Sequence, residues 1–271
     1  MSDISLSSTP SQTPARNLPR VIAVANQKGG VGKTTTSINT AAALAQMGLR
    51  VLLIDIDPQA NATSGLGIDV RSLDSSVLDV LIDDAPLAEC LCTTEIDGLQ
   101  VAPSNLRLAD AEMTMYSMLA RETRLKSGVD AVVDQFDYII IDCPPSLGLL
   151  TLNALCAARE VLIPIQCEYF ALEGVGQLLE NVLRIRRSGL NPTLEVSSIV
   201  CVMYDARTNL GEEVVDEIRQ HFGSTVLKTV VPRNIKLSES PKYGMPIITY
   251  DPMSRGAIAY TDVAREVHNG S

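Results

Sequence analysis

The segment that most constrains this chain is a glycine-rich turn between a predicted strand and a predicted helix. Residues 21–25 form a short apolar run, residues 28–36 read Lys-Gly-Gly-Val-Gly-Lys-Thr-Thr-Thr, and residues 34–47 have helical spacing. Glycines allow backbone N–H groups to converge on phosphate oxygens, and a helix N-terminus adds positive partial charge. In such a loop Lys33 would neutralise β- and γ-phosphate oxygens, and the hydroxyl of Thr34 would ligate Mg²⁺. The sequence therefore predicts a site for a nucleoside triphosphate.

The loop departs from the general phosphate-loop template at its first position. Gln27 stands where G-x-x-x-x-G-K-[ST] has a glycine, and a second lysine, Lys28, comes next. A fortuitous glycine-rich turn is the alternative, but the strand before it and the helix after it disfavour that interpretation. For Lys28 alone, the alternative is an exposed lysine without a role.

Apolar runs alternate with helical patterns along the chain, which is typical of a parallel sheet covered by helices. The runs are nearly continuous, which implies that the strands are buried on both faces. We therefore predict one α/β domain over residues 21–271, a doubly wound, mostly parallel sheet with helices on both faces. Residues 106–136 are predicted to be mostly helical, with a break near Ser127 and Gly128. The predicted strands are 21–25, 51–54, 99–102, 138–141, 161–165, 194–203 and 226–231.

Composition favours a cytoplasmic protein with no stable membrane association. Residues 1–20 are rich in Ser, Thr and Pro and have no apolar segment of the secretory type, so we interpret them as a disordered tail. No apolar run approaches the ~20 residues of a membrane span. The six cysteines include no Cys-x-x-Cys pair, which favours reduced, buried thiols.

The charges are unevenly distributed along the chain. The formal net charge of −10 by itself disfavours a nucleic-acid partner, but residues 180–256 hold 10 Lys or Arg against 9 Asp or Glu. Because binding responds to local potential rather than to net charge, a basic face in the last third is compatible with this composition.

Three aspartates follow predicted strands. Asp55 and Asp57 come after the strand 51–54, and Asp142 ends the run Ile-Ile-Ile-Asp. Ligands of open α/β sheets lie at the carboxyl ends of the strands, so all three are candidates for the nucleotide site. A carboxylate at such a strand end commonly holds Mg²⁺ or its water. For Asp142 alone a strand-end capping role is equally consistent; together with the loop, the functional interpretation is favoured. Asp55 is interpreted as structural or as a residue that positions the direct ligands.

The segment 28–35 resembles the deviant Walker A loop of the ParA/MinD class of P-loop ATPases. Longer stretches are similar to the chromosomal ParA (Soj) type in particular. The resemblance runs from about residue 21 to residue 267, nearly the whole predicted domain. The similar stretches are 55–67, 142–151, 166–174, 205–210 and 231–234.

The resemblance implies roles in a Mg-ATP site. Lys28 would reach across a nucleotide-sandwich dimer to the partner's phosphates, and Thr35 would contact the α-phosphate. Asp142 would hold Mg²⁺ together with Thr34, and Asp57 would position or activate the attacking water. The implied catalytic residues are Lys28, Lys33 and Asp57. The implied ATP-binding residues are Lys28, Gly29, Gly30, Val31, Gly32, Lys33, Thr34 and Thr35, with Pro232 and Asn234 at the adenine.

The resemblance also implies a cycle of partner binding. ATP would produce a homodimer that binds double-stranded DNA without sequence preference, and a ParB-type centromere-binding protein would stimulate hydrolysis and release it. The protein would then be associated with the nucleoid. The candidate DNA contacts are Arg207, Arg233, Lys236, Lys242 and Arg255. The helical run Arg184, Arg186 and Arg187 is either a further contact or a solvated helix face.

Three other interpretations compete with this one. A MinD-like ATPase of the membrane surface would end in a basic amphipathic helix, whereas residues 254–271 have only a modest apolar stripe. A metal-carrier relative could use Cys143, beside Asp142, to hold an iron–sulfur cluster at a dimer interface. A scaffold without activity is disfavoured because Lys33, Thr34, Asp57 and Asp142 are all present.

Overall fold

The computed structural model describes residues 19–168 and 173–270. Its described strands form one sheet in the order β3-β4-β2-β5-β1-β6-β7-β8, in which every pairing is parallel except that of β3 with β4. The strands are β1 (Arg20–Val24), β2 (Val51–Asp55), β3 (Cys92–Thr93), β4 (Leu99–Ala102), β5 (Tyr138–Asp142), β6 (Glu160–Gln166), β7 (Glu195–Tyr204) and β8 (Val226–Pro232).

Helices connect the parallel strands and cover both faces of the sheet. They are α1 (Lys33–Gln46), α2 (Asn61–Gly65), α3 (Val77–Asp83), α4 (Leu108–Met115), α5 (Arg124–Val132), α6 (Leu149–Ala157), α7 (Glu173–Ser188), α8 (Asn209–Phe222), α9 (Ile235–Glu239), α10 (Ile247–Tyr250) and α11 (Arg255–Asn269).

The sheet separates two apolar cores, because successive side chains of a strand point to opposite faces. In β5, Ile139 and Ile141 contribute to one core, whereas Tyr138 and Ile140 contribute to the other. The first core is completed by α3 to α8 and the second by α1, α2, α10 and α11. The strands are apolar along their whole length because both of their faces are buried, as predicted. The predicted fold class is confirmed.

The predicted helix break lies in the wrong place. Ser127 and Gly128 are inside α5, and the chain leaves helical geometry between α4 and α5 instead. A Cβ on Gly128 would lie 3.0 Å from Val80 Cγ1 and 3.4 Å from Leu87 Cβ. This glycine therefore permits close packing of α5 and does not end a helix.

The tail predicted over residues 1–20 extends too far, because residue 20 belongs to the first strand. Residues 1–18 lie outside the described residues, but Arg20, which the sequence assigned to the tail, is the first residue of β1 and is buried. Its guanidinium donates to both carboxylate oxygens of Glu160, at 2.7 and 2.6 Å, and to the hydroxyl of Tyr138 at 3.1 Å. It also donates to the carbonyl of Val267 near the end of α11. One side chain therefore joins the starts of β1, β5 and β6 to the last helix.

We expect Arg20→Met to lower the free energy of unfolding by about 3–5 kcal/mol, because it removes one partner of a buried ion pair. Arg50→Met is the matched control, since Arg50 makes a similar two-bond pair with Asp137 but is 58% exposed. That change should destabilise the protein much less, because a solvent-exposed ion pair contributes little to stability. Chemical denaturation without nucleotide measures both, and equal losses would contradict the special role of the buried pair.

Candidate nucleotide site

Three neighbouring strands bring the candidate groups to one edge of the sheet. β5 lies between β2 and β1, so that Asp142 is in register with Asp55 on one side and with Val24 on the other. Beyond the strand ends, the N–H of Ile56 donates to the carbonyl of Asp142, and the N–H of Cys143 donates to that of Val24. The glycine loop and the strand-end aspartates therefore meet at the carboxyl edge, as the parallel topology requires.

The glycine loop has the backbone geometry of an anion cradle. Gly30 and Gly32 have φ values of 76° and 78°, in the left-handed region that favours glycine. The helix α1 begins immediately afterwards at Lys33, whose ammonium donates to the carbonyl of Lys28 at 3.1 Å. Burial lowers the pKa of Lys33, and the nearby Asp142, Cys143 and Asp57 oppose that shift. Lys33 is thus a largely desolvated cation held against the loop.

The Asp142 carboxylate is buried but only partly satisfied. Its Oδ1 accepts a hydrogen bond from Ser37 at 2.7 Å, and Oδ2 has no hydrogen-bond partner. Burial raises the pKa of Asp142 to about 8 and the neighbouring Asp55 adds to this, whereas the hydroxyls of Ser37 and Thr34 lower it. A buried carboxylate that lacks some of its hydrogen-bond donors is unfavourable unless a cation lies nearby.

A magnesium ion fits this arrangement. Among the described residues, no group of three or more His, Cys, Asp or Glu side chains is arranged to hold a metal ion. Mg²⁺ commonly uses one or two protein oxygens and takes further ligands from substrate phosphates and water. Thr34 and the free oxygen of Asp142 are such a pair beside the loop, so the residues present suit a magnesium–nucleotide complex better than a metal alone.

The other two aspartates differ in how fully they are bonded. Asp55 accepts from the N–H of Asp57 at 3.1 Å and from both the N–H and the hydroxyl of Thr63 at 2.8 Å. Burial raises the pKa of Asp55 to about 6, against the effect of these bonds. Asp57 Oδ1 accepts from the N–H of Gln59 at 3.0 Å, and the residue is 8% exposed. The hydrogen bonds of Asp55 are therefore all used within the fold, which agrees with its structural interpretation, whereas Asp57 accepts fewer bonds and is slightly exposed.

A cavity of about 280 Å³ lies beside the loop. Gly32 and Thr35 form one wall, and Pro232 and Asn234, the predicted adenine contacts, form another. Tyr260 of α11 also lines the cavity, and its hydroxyl is 3.0 Å from that of Thr36. The structure thus places the two predicted adenine contacts next to the predicted phosphate loop, across a space of suitable size for a base.

Several positioning residues were missed by the sequence analysis. Ser37 could have been found, because it lies one helical turn after Lys33 and therefore faces the same side of α1. Glu112 could not have been found from local pattern. Its carboxylate accepts from the N–H groups of Leu149 at 2.5 Å and Leu150 at 3.3 Å, capping α6 just after the Asp142 segment. A Cβ on Gly148 would clash with Glu112 Oε1, so glycine at that position allows the cap.

All five candidate DNA contacts are exposed, but they are not equivalent. Arg207 donates from Nε and Nη2 to the two carboxylate oxygens of Asp205, at 2.9 and 2.7 Å. Lys236 pairs with Glu239 at 3.3 Å. Arg233 lines the base cavity, so it belongs to the nucleotide cleft as much as to an outer basic face. The remaining two candidates are Lys242 and Arg255, next to the cavity segment and at the start of α11.

Comparison with known proteins identifies the family. A family model described as an AAA domain matches residues 19–196. The chain is 54% identical to the sporulation initiation inhibitor protein Soj of Bacillus subtilis (strain 168), over 92% of this chain and 98% of that protein. It is 49% identical to the chromosome partitioning protein ParA of Myxococcus xanthus, over 92% of this chain and 87% of that protein. The chain belongs to the ParA/Soj family of P-loop ATPases.

A solved structure supports the same class of fold. Cobyrinic acid a,c-diamide synthase from Mycobacterium smegmatis, with bound ATP analogue and magnesium, matches this ParA/Soj chain with a TM-score of 0.80 and 39% identity. The match covers 92% of this chain and 94% of that one. Its name denotes a different activity from those of the ParA and Soj relatives, so this match supports the P-loop fold and not a particular activity.

Three observations on this ParA/Soj chain bear on the metal-carrier and membrane-surface interpretations. The thiols of all six cysteines are free, and Cys143 is buried beside the nucleotide site. Tyr260, Val263 and Val267 of α11 are buried in the core of the domain. No helix among the described residues is long and apolar enough to cross a membrane.

We expect Asp142→Asn to remove the magnesium dependence of nucleotide binding and to weaken ATP binding at least about tenfold. Its effect on folding should be small, because it removes a carboxylate that lacks a partner on one oxygen. Asp55→Asn is the contrast, since its amide nitrogen cannot accept all the bonds that Asp55 accepts, and it should cost about 1–3 kcal/mol of stability. Calorimetric titration with and without Mg²⁺, together with thermal unfolding, separates the two effects. Unchanged magnesium dependence in Asp142→Asn would exclude that residue as a ligand.

Proposed function

We propose that this chain is a DNA-partitioning ATPase of the cytoplasm and nucleoid. In this cycle, Mg-ATP drives homodimerisation, and the dimer binds double-stranded DNA without sequence preference. A ParB-type centromere-binding partner then stimulates ATP hydrolysis and releases the dimer from DNA. The cycle would move a chromosome or a plasmid.

One observation carries this proposal, the different positions of the two loop lysines. Lys33 is buried and is held by the carbonyl of Lys28, so it already supplies a cation to its own phosphate site. The side chain of Lys28 is 37% exposed and its ammonium points to Glu168, 3.6 Å away. A second lysine at the open side of the loop suits contact with the phosphates of another protomer, as the family resemblance implies.

The protein's part in hydrolysis would be positioning and charge stabilisation rather than covalent chemistry. Lys33 and the loop N–H groups would hold the β- and γ-phosphates, and Lys28 of the partner protomer would add a second cation. Bound Mg²⁺ would neutralise phosphate charge, with Thr34 and Asp142 as its protein ligands. Asp57, whose Oδ1 accepts from the N–H of Gln59, would orient the attacking water.

The position of the basic candidates supports a link between nucleotide and DNA. Asn234, Leu237 and Pro241, which belong to one segment, all line the base cavity. The same segment carries Lys236 on its exposed surface, and Lys242 follows directly. A base in the cavity would therefore fix the position of two candidate DNA contacts, and a dimer would present two such sets.

A MinD-like role at the membrane surface is the alternative. It would require the last helix to expose an apolar face, because such helices bind by burying that face in the lipid boundary. In this chain Tyr260, Val263 and Val267 of α11 are buried where the helix packs against α1 and β8, whereas Ile258 is 51% exposed and is the one large apolar side chain of α11 that faces solvent. The carbonyl of Val267 accepts from Arg20. The DNA-partitioning function is therefore favoured.

We expect binding to a random-sequence DNA duplex only with ATP, not with ADP or without nucleotide. Affinity should fall roughly a thousandfold or more between about 50 and about 200 mM salt, if the dimer neutralises about six phosphates. Arg207→Ala should weaken binding and flatten the salt dependence. Arg71→Ala is the matched control, because Arg71 pairs with Asp69 through the same Nε and Nη2 arrangement. Binding that is absent in all nucleotide states would refute the DNA function and would direct the test to liposomes.

We expect Asp57→Asn to slow partner-stimulated ATP hydrolysis by about a hundredfold or more while ATP-state DNA binding persists. The substituted amide oxygen can still accept from the N–H of Gln59, so the loop should keep its shape. Asp57→Ala should trap the ATP dimer on DNA in the same way. Phosphate release and DNA dissociation after ATP removal are the two measurements, and normal hydrolysis in Asp57→Asn would show that this role is misassigned.

A further inference from the structure

A small ionic cluster spans the mouth of the nucleotide cleft. Glu168, just after β6, lies with Oε2 3.6 Å from the ammonium of Lys28 and with Oε1 3.8 Å from Nη2 of Arg233. Lys28 belongs to the phosphate loop, and Arg233 lines the base cavity. One carboxylate thus lies between two cations that come from the two sides of the cleft.

The geometry of Glu168 is supported by its neighbours. The side-chain amide of Gln166 donates to Glu168 Oε1, and the N–H of Glu168 donates to the carbonyl of Gln166 at 2.8 Å. The loop is fixed to the same strand, because the amide of Asn26 donates to the carbonyl of Pro164 at 2.8 Å. Asn26 Oδ1 in turn accepts from the N–H of Lys28 at 3.0 Å. The backbones that carry Lys28 and Glu168 are therefore anchored to one element, β6.

This arrangement conflicts with the role proposed for Lys28. Its ammonium cannot lie against Glu168 of its own protomer and also reach the phosphates of another protomer. The same carboxylate partly neutralises Arg233, whose Nη2 also lies near it. The pairs are half-exposed, at 37% for Lys28 and 49% for Glu168, so each is weak enough to be exchanged for a phosphate.

We propose that Glu168 is a resting-state counterion that holds Lys28 and Arg233 in their own protomer and opposes pairing with a second copy of the chain. The inference rests on the proposed ATP-dependent dimer. In the nucleotide-free protein, Glu168 neutralises the mouth of the cleft. When Lys28 turns to the partner's phosphates, its ion pair with Glu168 is broken. The free energy of breaking that pair raises the ATP concentration that dimerisation requires.

The first experiment tests the ion pair without nucleotide or dimer. Lys28→Met, Glu168→Gln and the double variant are unfolded by denaturant, at low and at high salt. We expect a coupling between the two substitutions of about two- to fivefold in the unfolding constant at low salt, which disappears at high salt. Additive effects at low salt would show that the two side chains do not interact and would overturn the inference, whether or not the protein dimerises.

The second experiment measures dimer formation against ATP concentration by light scattering with Mg²⁺ present. Glu168→Gln should lower the ATP concentration for half-dimerisation by about two- to fivefold. Glu239→Gln is the control, since it removes the same charge from another exposed ion pair at this end of the molecule, Lys236–Glu239. It should stay within about twofold of the unmodified protein.

The outcomes separate the two proposals. If the unmodified protein dimerises with ATP but Glu168→Gln needs as much ATP as Glu239→Gln, or more, Glu168 does not oppose pairing and the inference is wrong. If neither the unmodified protein nor any variant dimerises with ATP, the proposed dimer itself is wrong, and the inference falls with it even where the unfolding experiment detects the ion pair.

Discussion

The carboxylate of Asp142 is the group on which the rest of the site depends. It ends the central strand β5, between the strand that leads into the glycine loop and the strand that leads to Asp55 and Asp57. Full burial of a carboxylate with only one oxygen bonded by Ser37 is unfavourable without a nearby cation. The parallel sheet imposes this position, because every strand delivers its last residue to the same edge. The fold therefore creates a negatively charged position at which Lys33 supplies one positive charge and a bound cation would supply another.

The opposite edge of the sheet has the reverse character. There Arg20 is bonded to Glu160, Tyr138 and Val267, and the Tyr138 hydroxyl is also 3.0 Å from Nδ1 of His268. The buried charges of Arg20 and Glu160 are paired with each other, and the first strand is joined to the last helix. Because these bonds hold the amino ends of the strands together, the fold can tolerate a carboxylate with an unbonded oxygen at their carboxyl ends. Stability and ligand binding are in this way assigned to opposite ends of the same strands.

The sequence predicted what depends on local chemistry and failed where distant residues decide. The loop was predictable because Gly30, Gly32 and Lys33 act through their own backbone and through the helix that follows. The helix break predicted at Gly128 was wrong because that glycine serves close packing against Val80 and Leu87, which are distant in sequence. The short antiparallel β3 gave no periodic signal in two residues. Glu112 and Glu168 were missed for the same reason, since each acts on residues brought near by the fold.

Paired cations also explain how a chain with a net charge of −10 could bind DNA only as a dimer. Arg207, Lys236 and Arg233 each lie beside a carboxylate, at Asp205, Glu239 and Glu168. A DNA phosphate that approaches such a pair must compete with the carboxylate and is repelled by it, so each contact contributes less than an unpaired cation would. Contacts from one copy would then be too weak at physiological salt. Contacts from two copies add as free energies and multiply as binding constants. The acidity of the chain would thereby make DNA binding depend on dimerisation, which the proposed cycle places under the control of ATP.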